Sequence, residues 1–123
     1  MKKYGKTISE MLLDYSISVI KATRKVNKDY IGKHICLQLL RSATSVGANY
    51  EETRGPQSKR DFIHKLQVAL KEARESSYWL KVLLGIDELK NSRDFIHLSE
   101  QSTSLINVLS KSVATAKKNM ITS

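Results

Sequence analysis

Residues 38–52 read QLLRSATSVGANYEE, and residues 58–80 read SKRDFIHKLQVALKEARESSYWL. The second stretch is a helix by its spacing: Phe62, Leu66, Ala69, Ala73, Ser76, Leu80 and Leu83 alternate steps of three and four, which puts them on one face. Ser58 and Asp61 form a capping box at its start. The first stretch is harder to read. Cys36, Leu39, Ala43, Val46 and Tyr50 keep a helical period, yet SATSVGAN carries almost no bulk. Gly47 should cost about 1 kcal/mol relative to alanine inside a helix. Read locally, the run is a loop. Read as a helix, it lets a neighbouring backbone approach closely.

Outward from these two segments the pattern repeats. Thr7 and Glu10 make a capping box ahead of a seam of Ile8, Leu12, Tyr15, Val19, Ala22 and Val26. NKDYIGK, residues 27–33, breaks the pattern and is the first expected turn; RGPQS, residues 54–58, holds the one proline and ends the second helix. After DELKNS comes a fourth seam, Phe95, Leu98, Ser102, Leu105, Leu109, Val113 and Ala116. Four amphipathic helices joined by short turns predict an all-α, up-and-down antiparallel four-helix bundle, with residues 1–123 as one domain. The end of the third helix, SSYWLKVLLGI, is apolar nearly all round. Tyr78, Trp79 and Val82 fall off its seam and are the expected contact surface between subunits.

Composition narrows the function. The 123 residues carry 21 Lys and Arg against 12 Asp and Glu, a formal charge of +9, which favours polyanions such as RNA or DNA but fits an acidic protein partner as well. No apolar run approaches the roughly 20 residues of a membrane span. The N-terminus has no signal-peptide pattern, and Cys36 stands alone, so a reduced, cytoplasmic setting is expected.

The residues of segment 33–84 resemble the four-helix bundle family associated with intervening sequences in bacterial 23S ribosomal RNA. The likeness rests on Gln38-Leu39-Leu40-Arg41-Ser42-Ala43, Ser45-Val46, Asn49 and Glu52, then on Asp61-Phe62, Ala69-Leu70-Lys71-Glu72 and Glu75. The chain departs from the usual pattern where Thr53 follows Glu52 and the glycine is displaced to Gly55. The resemblance implies a closed bundle and a homopentameric ring. It implies no catalytic activity.

Three groups of residues are candidates for function. Lys21, Arg24, Lys25 and Lys28 lie on the outward side near the end of the first helix, and Lys111, Lys117 and Lys118 lie towards the end of the fourth, which has no acidic residue from Gln101 onward. They either contact phosphates or complement helix dipoles at about 0.3–1 kcal/mol each. In an antiparallel bundle the two clusters belong to opposite ends. Gln38, Arg41, Ser45, Asn49 and Glu52 recur every three or four residues, with Glu72 and Glu75 as acceptors. They form either a ligand site or, more simply, a polar network that fixes helix register.

The repeat RDFIH, at residues 60–64 and 93–97, places Asp and His one turn apart, as metal-binding bundles do. Both copies open their helices, so they belong to opposite ends of the bundle. Capping by Ser58 with Asp61 and by Asn91 with Asp94 is the simpler account. No nucleophile–base pair is present. The expectation is a non-catalytic protein with no metal or cofactor, binding nucleic acid or serving as a protein-interaction scaffold.

Overall fold

The computed structural model describes residues 6–26, 29–55 and 58–122. Four helices account for nearly all of it: α1 (Ile8–Arg24), α2 (Tyr30–Glu51), α3 (Lys59–Leu84) and α4 (Arg93–Thr122), with one 3-10 turn, Glu52–Arg54, after α2. Each helix packs on its chain neighbours and α4 returns to α1, which closes the bundle. Side-chain bonds fix the antiparallel sense. Lys25 Nζ meets Asp94 Oδ2 at 3.1 Å, tying the end of α1 to the start of α4. Lys65 Nζ meets Glu52 Oε1 at 2.8 Å, tying the start of α3 to the end of α2.

The expected seams form one continuous core. Leu12, Tyr15, Val19 and Ala22 of α1 meet Leu39, Ala43 and Val46 of α2, Ala69, Ala73, Leu80 and Leu83 of α3, and Phe95, Leu98, Leu105 and Leu109 of α4. Each fully buried leucine contributes about 1.5–3 kcal/mol.

The ambiguous run of α2 is helix throughout, and its own side chains show why. Ser42 Oγ donates to the Gln38 carbonyl at 3.0 Å, Thr44 Oγ1 to Leu40 at 2.8 Å, and Ser45 Oγ to Arg41 at 2.7 Å. Hydroxyls folded back on carbonyls need no outside partner. What remains is a thin helix, and α1 comes close to it: a Cβ added at Gly47 would sit 3.6 Å from Leu12 Cβ. On the far side Ser42 and Ala43 are buried, facing a bundle in which α3 presents Ala69, Ala73 and Ser76.

Three local expectations are corrected. The first turn is shorter than residues 27–33, because Asp29 caps α2 by accepting from Gly32 N at 2.7 Å and so draws Tyr30–Gly32 into the helix. At the start of α3, Phe62 stands 36% exposed while its neighbour Ile63 is buried at 7%; the α4 residues that share the Phe62 cleft, Ser112, Thr115, Ala116 and Asn119, are too small or too polar to wall off a ring. The cap of α4 is Ser92 rather than Asn91, since Ser92 Oγ accepts from Phe95 N at 3.3 Å and leaves Asp94 to pair with Lys25. The Thr7–Glu10 capping box forms in both directions, at 3.1 and 2.9 Å.

A buried polar contact lies at the centre. Tyr15 and Ser76 are fully buried, and their hydroxyl oxygens stand 2.8 Å apart. Ser76 gives its proton to the Ala73 carbonyl at 2.8 Å, so Tyr15 is the donor between them. Burial pushes the Tyr15 phenol up to about 12.

Candidate nucleic-acid interface

The candidate basic residues fall into two separate places. Lys21, Arg24 and Lys25 are exposed at the end of α1, where Lys21 and Lys25 border a shallow hollow with Ser18, Asp94 and His97. Asp94 takes the Lys25 ammonium and dilutes the patch. Lys28 lies outside the described residues. Lys111, Lys117 and Lys118 are exposed on the last turns of α4. From Asp94 to Lys117 the helix rises about 35 Å at 1.5 Å per residue. The two clusters therefore stay apart within one chain.

The α2–α3 polar residues are brought together in part. Arg41 bridges to α3 by pairing with Glu72 at 3.4 Å and with Glu75, whose carboxyl is held below its ordinary value chiefly by that bond. Trp79 Nε1 donates to the same Glu75 oxygen at 3.4 Å. Ser45 and Asn49 do not cross to α3; Asn49 Nδ2 donates to the Ser45 carbonyl of its own helix at 2.8 Å. The Gln38 carbonyl accepts from Ser42, and Glu52 pairs with Lys65. These contacts set the register of two helices by two ionic rungs.

Of the three residues expected between subunits, Tyr78 is 58% exposed, while Trp79 and Val82 are half-buried. Trp79 packs on the core, with its ring edge-on to Tyr78 at 5.1 Å. More exposed apolar surface lies on α1 and α2. Leu13 is 61% exposed, with Ile17 beside it on α1 and Leu37 outward on α2. Sequence reasoning missed this face, though Leu13, Ile17 and Ile20 repeat at steps of four and three, a second stripe behind the seam.

Among the described residues, two sizeable hollows lie at the end of the bundle where α2 and α4 finish. One, of about 420 Å³, runs between α1 and α2 over Leu12, Leu13, Thr44 and Gly47, and is edged by Glu10 and Glu51. The other, of about 400 Å³, lies among α2, α3 and α4 and is lined by Tyr50, Phe62, Leu66 and Lys111, with small polar residues of α4. Neither was legible in the sequence. The RDFIH copies stand far apart, with His64 and His97 both exposed. Among the described residues no three His, Cys, Asp or Glu side chains gather where a metal could bind. No helix among them is long and apolar enough to cross a membrane.

The fold defines an all-α four-helix bundle, closed by antiparallel neighbours. Residues 7–111 match the family described as 23S rRNA-intervening sequence protein, and the chain belongs to that family. Among solved structures it is similar to a protein of unknown function from the S23 ribosomal protein family of Bacteroides thetaiotaomicron. The two share 29% identity over 87% of this chain and 98% of that one, with a TM-score of 0.77. No curated protein matches the chain.

Proposed function

We propose that this protein is a non-catalytic, self-associating bundle, a pentameric ring in the bacterial cytoplasm, that binds nucleic acid through phosphate contacts. The observation that carries the proposal is the second half of α4. From Gln101 onward it holds Lys111, Lys117 and Lys118 and no carboxylate, in a chain of charge +9. A ring repeats that face around its axis, and repetition turns weak contacts into avid ones. The patch of Lys21, Arg24 and Lys25 adds to it from the opposite end, reduced by Asp94. The family's association with a ribosomal RNA puts RNA ahead of DNA. Contacts of this kind carry little base readout.

Fluorescence anisotropy with structured RNA and duplex DNA across a salt series tests the proposal. Binding should weaken steeply with salt, each neutralised phosphate adding about 0.7–0.9 to the slope. Charge reversal at Lys111, Lys117 and Lys118 should lower both affinity and slope, and reversal at Lys21, Arg24 and Lys25 should do so to a smaller extent. Unchanged binding in both variants refutes the assignment of these residues. No binding at low salt favours the second reading, an oligomeric protein-interaction scaffold, for which the exposed Leu13, Ile17 and Leu37 supply an apolar surface.

A further inference from the structure

The cleft among α2, α3 and α4 has features that a phosphate-binding face does not need. Two aromatic rings, Tyr50 from the end of α2 and Phe62 from the start of α3, stand over buried Leu66. Phe62 keeps over a third of its surface in water although its helical position belongs to the core seam. Along the α4 wall run Lys111, Ser112 and Thr115. Ser112, on that wall, gives its proton to the Val108 carbonyl at 3.0 Å, which leaves its oxygen as an acceptor.

The charge around the cleft is also specific. The α4 wall belongs to the stretch without a carboxylate. At this end of the bundle, Glu52 is engaged by Lys65, and Asp61 sits in the first turn of α3. The α1–α2 groove is of similar size but is edged by Glu10 and Glu51, which disfavours an anion there. A volume of about 400 Å³ is in the range of sites for single small molecules, roughly 300–1,000 Å³. It admits one nucleoside and excludes a stacked duplex. Ser112, Thr115 and Asn119 of the lining lie past residue 111, where the family match ends.

We propose that this cleft is a base-stacking subsite for single-stranded nucleic acid. It takes one unstacked nucleobase against Phe62 and Tyr50, with a backbone phosphate at Lys111 and the base edge towards Ser112 and Thr115. The proposal rests on the nucleic-acid reading above and adds to it a preference for strands whose bases are free. Aromatic stacking is tolerant of sequence because every base has a π-face. The subsite therefore selects strandedness and not sequence.

The test uses the full-length oligomer and three labelled probes: an oligouridylate of about 12 nucleotides, an abasic strand of equal length, and an RNA duplex. Wild type should bind the oligouridylate about tenfold or more tighter than the abasic strand. Phe62→Leu keeps an apolar side chain and removes the ring. It should bring oligouridylate binding down to the abasic level, leaving duplex affinity and salt slope unchanged. Tyr50→Leu should act in the same direction. Equal binding of oligouridylate and abasic strand by wild type overturns the subsite, a comparison that needs no variant to fold. So does a Phe62→Leu protein, folded by circular dichroism, that binds oligouridylate like wild type. Steep salt dependence without a base effect removes the subsite alone. No binding of any probe at low salt removes the nucleic-acid reading with it.

Discussion

The Tyr15–Ser76 pair yields the sharpest expectation for stability, because its two halves are not equivalent. Both hydroxyls are fully buried, and the proton order runs from Tyr15 to Ser76 to the Ala73 carbonyl. Tyr15→Phe removes one hydrogen bond but leaves Ser76 bonded to Ala73, so the cost should be about 1 kcal/mol. Ser76→Ala leaves the phenol as a buried donor with no acceptor, which should cost about 2–3 kcal/mol. With both substitutions no group is orphaned. The double variant should then lie near Tyr15→Phe alone, a coupling of about 2 kcal/mol.

The phenol gives a second handle on the same pair. Its folded pKa, about 12, stands above the ordinary phenol value of about 10, so the neutral form is favoured by folding. The associated stability is complete below pH 10 and is lost as pH rises towards 12. Wild type should therefore fall relative to Tyr15→Phe by about 1.4 kcal/mol per pH unit in that window. Urea unfolding followed by circular dichroism, at fixed protein concentration because self-association adds to stability, measures both effects. A Ser76→Ala cost no larger than that of Tyr15→Phe refutes the proton order. So do single costs that add to within about 0.5 kcal/mol.

Other substitutions have simpler expectations. Gly47→Ala should stabilise the chain by about 0.5–1 kcal/mol, since the new methyl meets Leu12 at an ordinary 3.6 Å; a lower melting temperature would mean that α1 cannot accept it. Arg41→Gln should cost about 0.5–1 kcal/mol near neutral pH, the range for a solvent-screened pair. Because Glu75 is held below its ordinary value, that difference is present above its unfolded pKa of about 4.3 and should close as acid protonates it in both proteins. Asp94→Asn removes the carboxylate from the α1 patch and should raise nucleic-acid affinity and salt slope, measured by anisotropy; no change would show that this patch does not touch phosphate.

What the sequence by itself determined is the set of helices and their seams. A three–four spacing is a local property, so Leu12–Tyr15–Val19 and Leu98–Leu105–Leu109 declare their faces without reference to any partner. Capping is equally local, and Thr7 with Glu10 could be read directly. The Arg41 and Glu52 rungs were legible only as candidates, because a polar residue on a helix flank can turn to its own backbone, as Ser45 and Asn49 do, or cross to a neighbour.

Tertiary structure decided whatever depends on the opposing wall. SATSVGAN is helix because α1 closes on Gly47 and the hydroxyls of the run find their own carbonyls. At the start of α3 the choice of neighbours falls on small or polar α4 side chains, which leave Phe62 36% exposed at a seam position. That same choice leaves the Phe62 ring at the mouth of a cleft beside Tyr50 and Lys111, residues 12 and 49 positions away in the chain. Periodicity reports which face of a helix seeks cover. It does not report what the neighbouring helix offers, and the cleft exists only where that offer falls short.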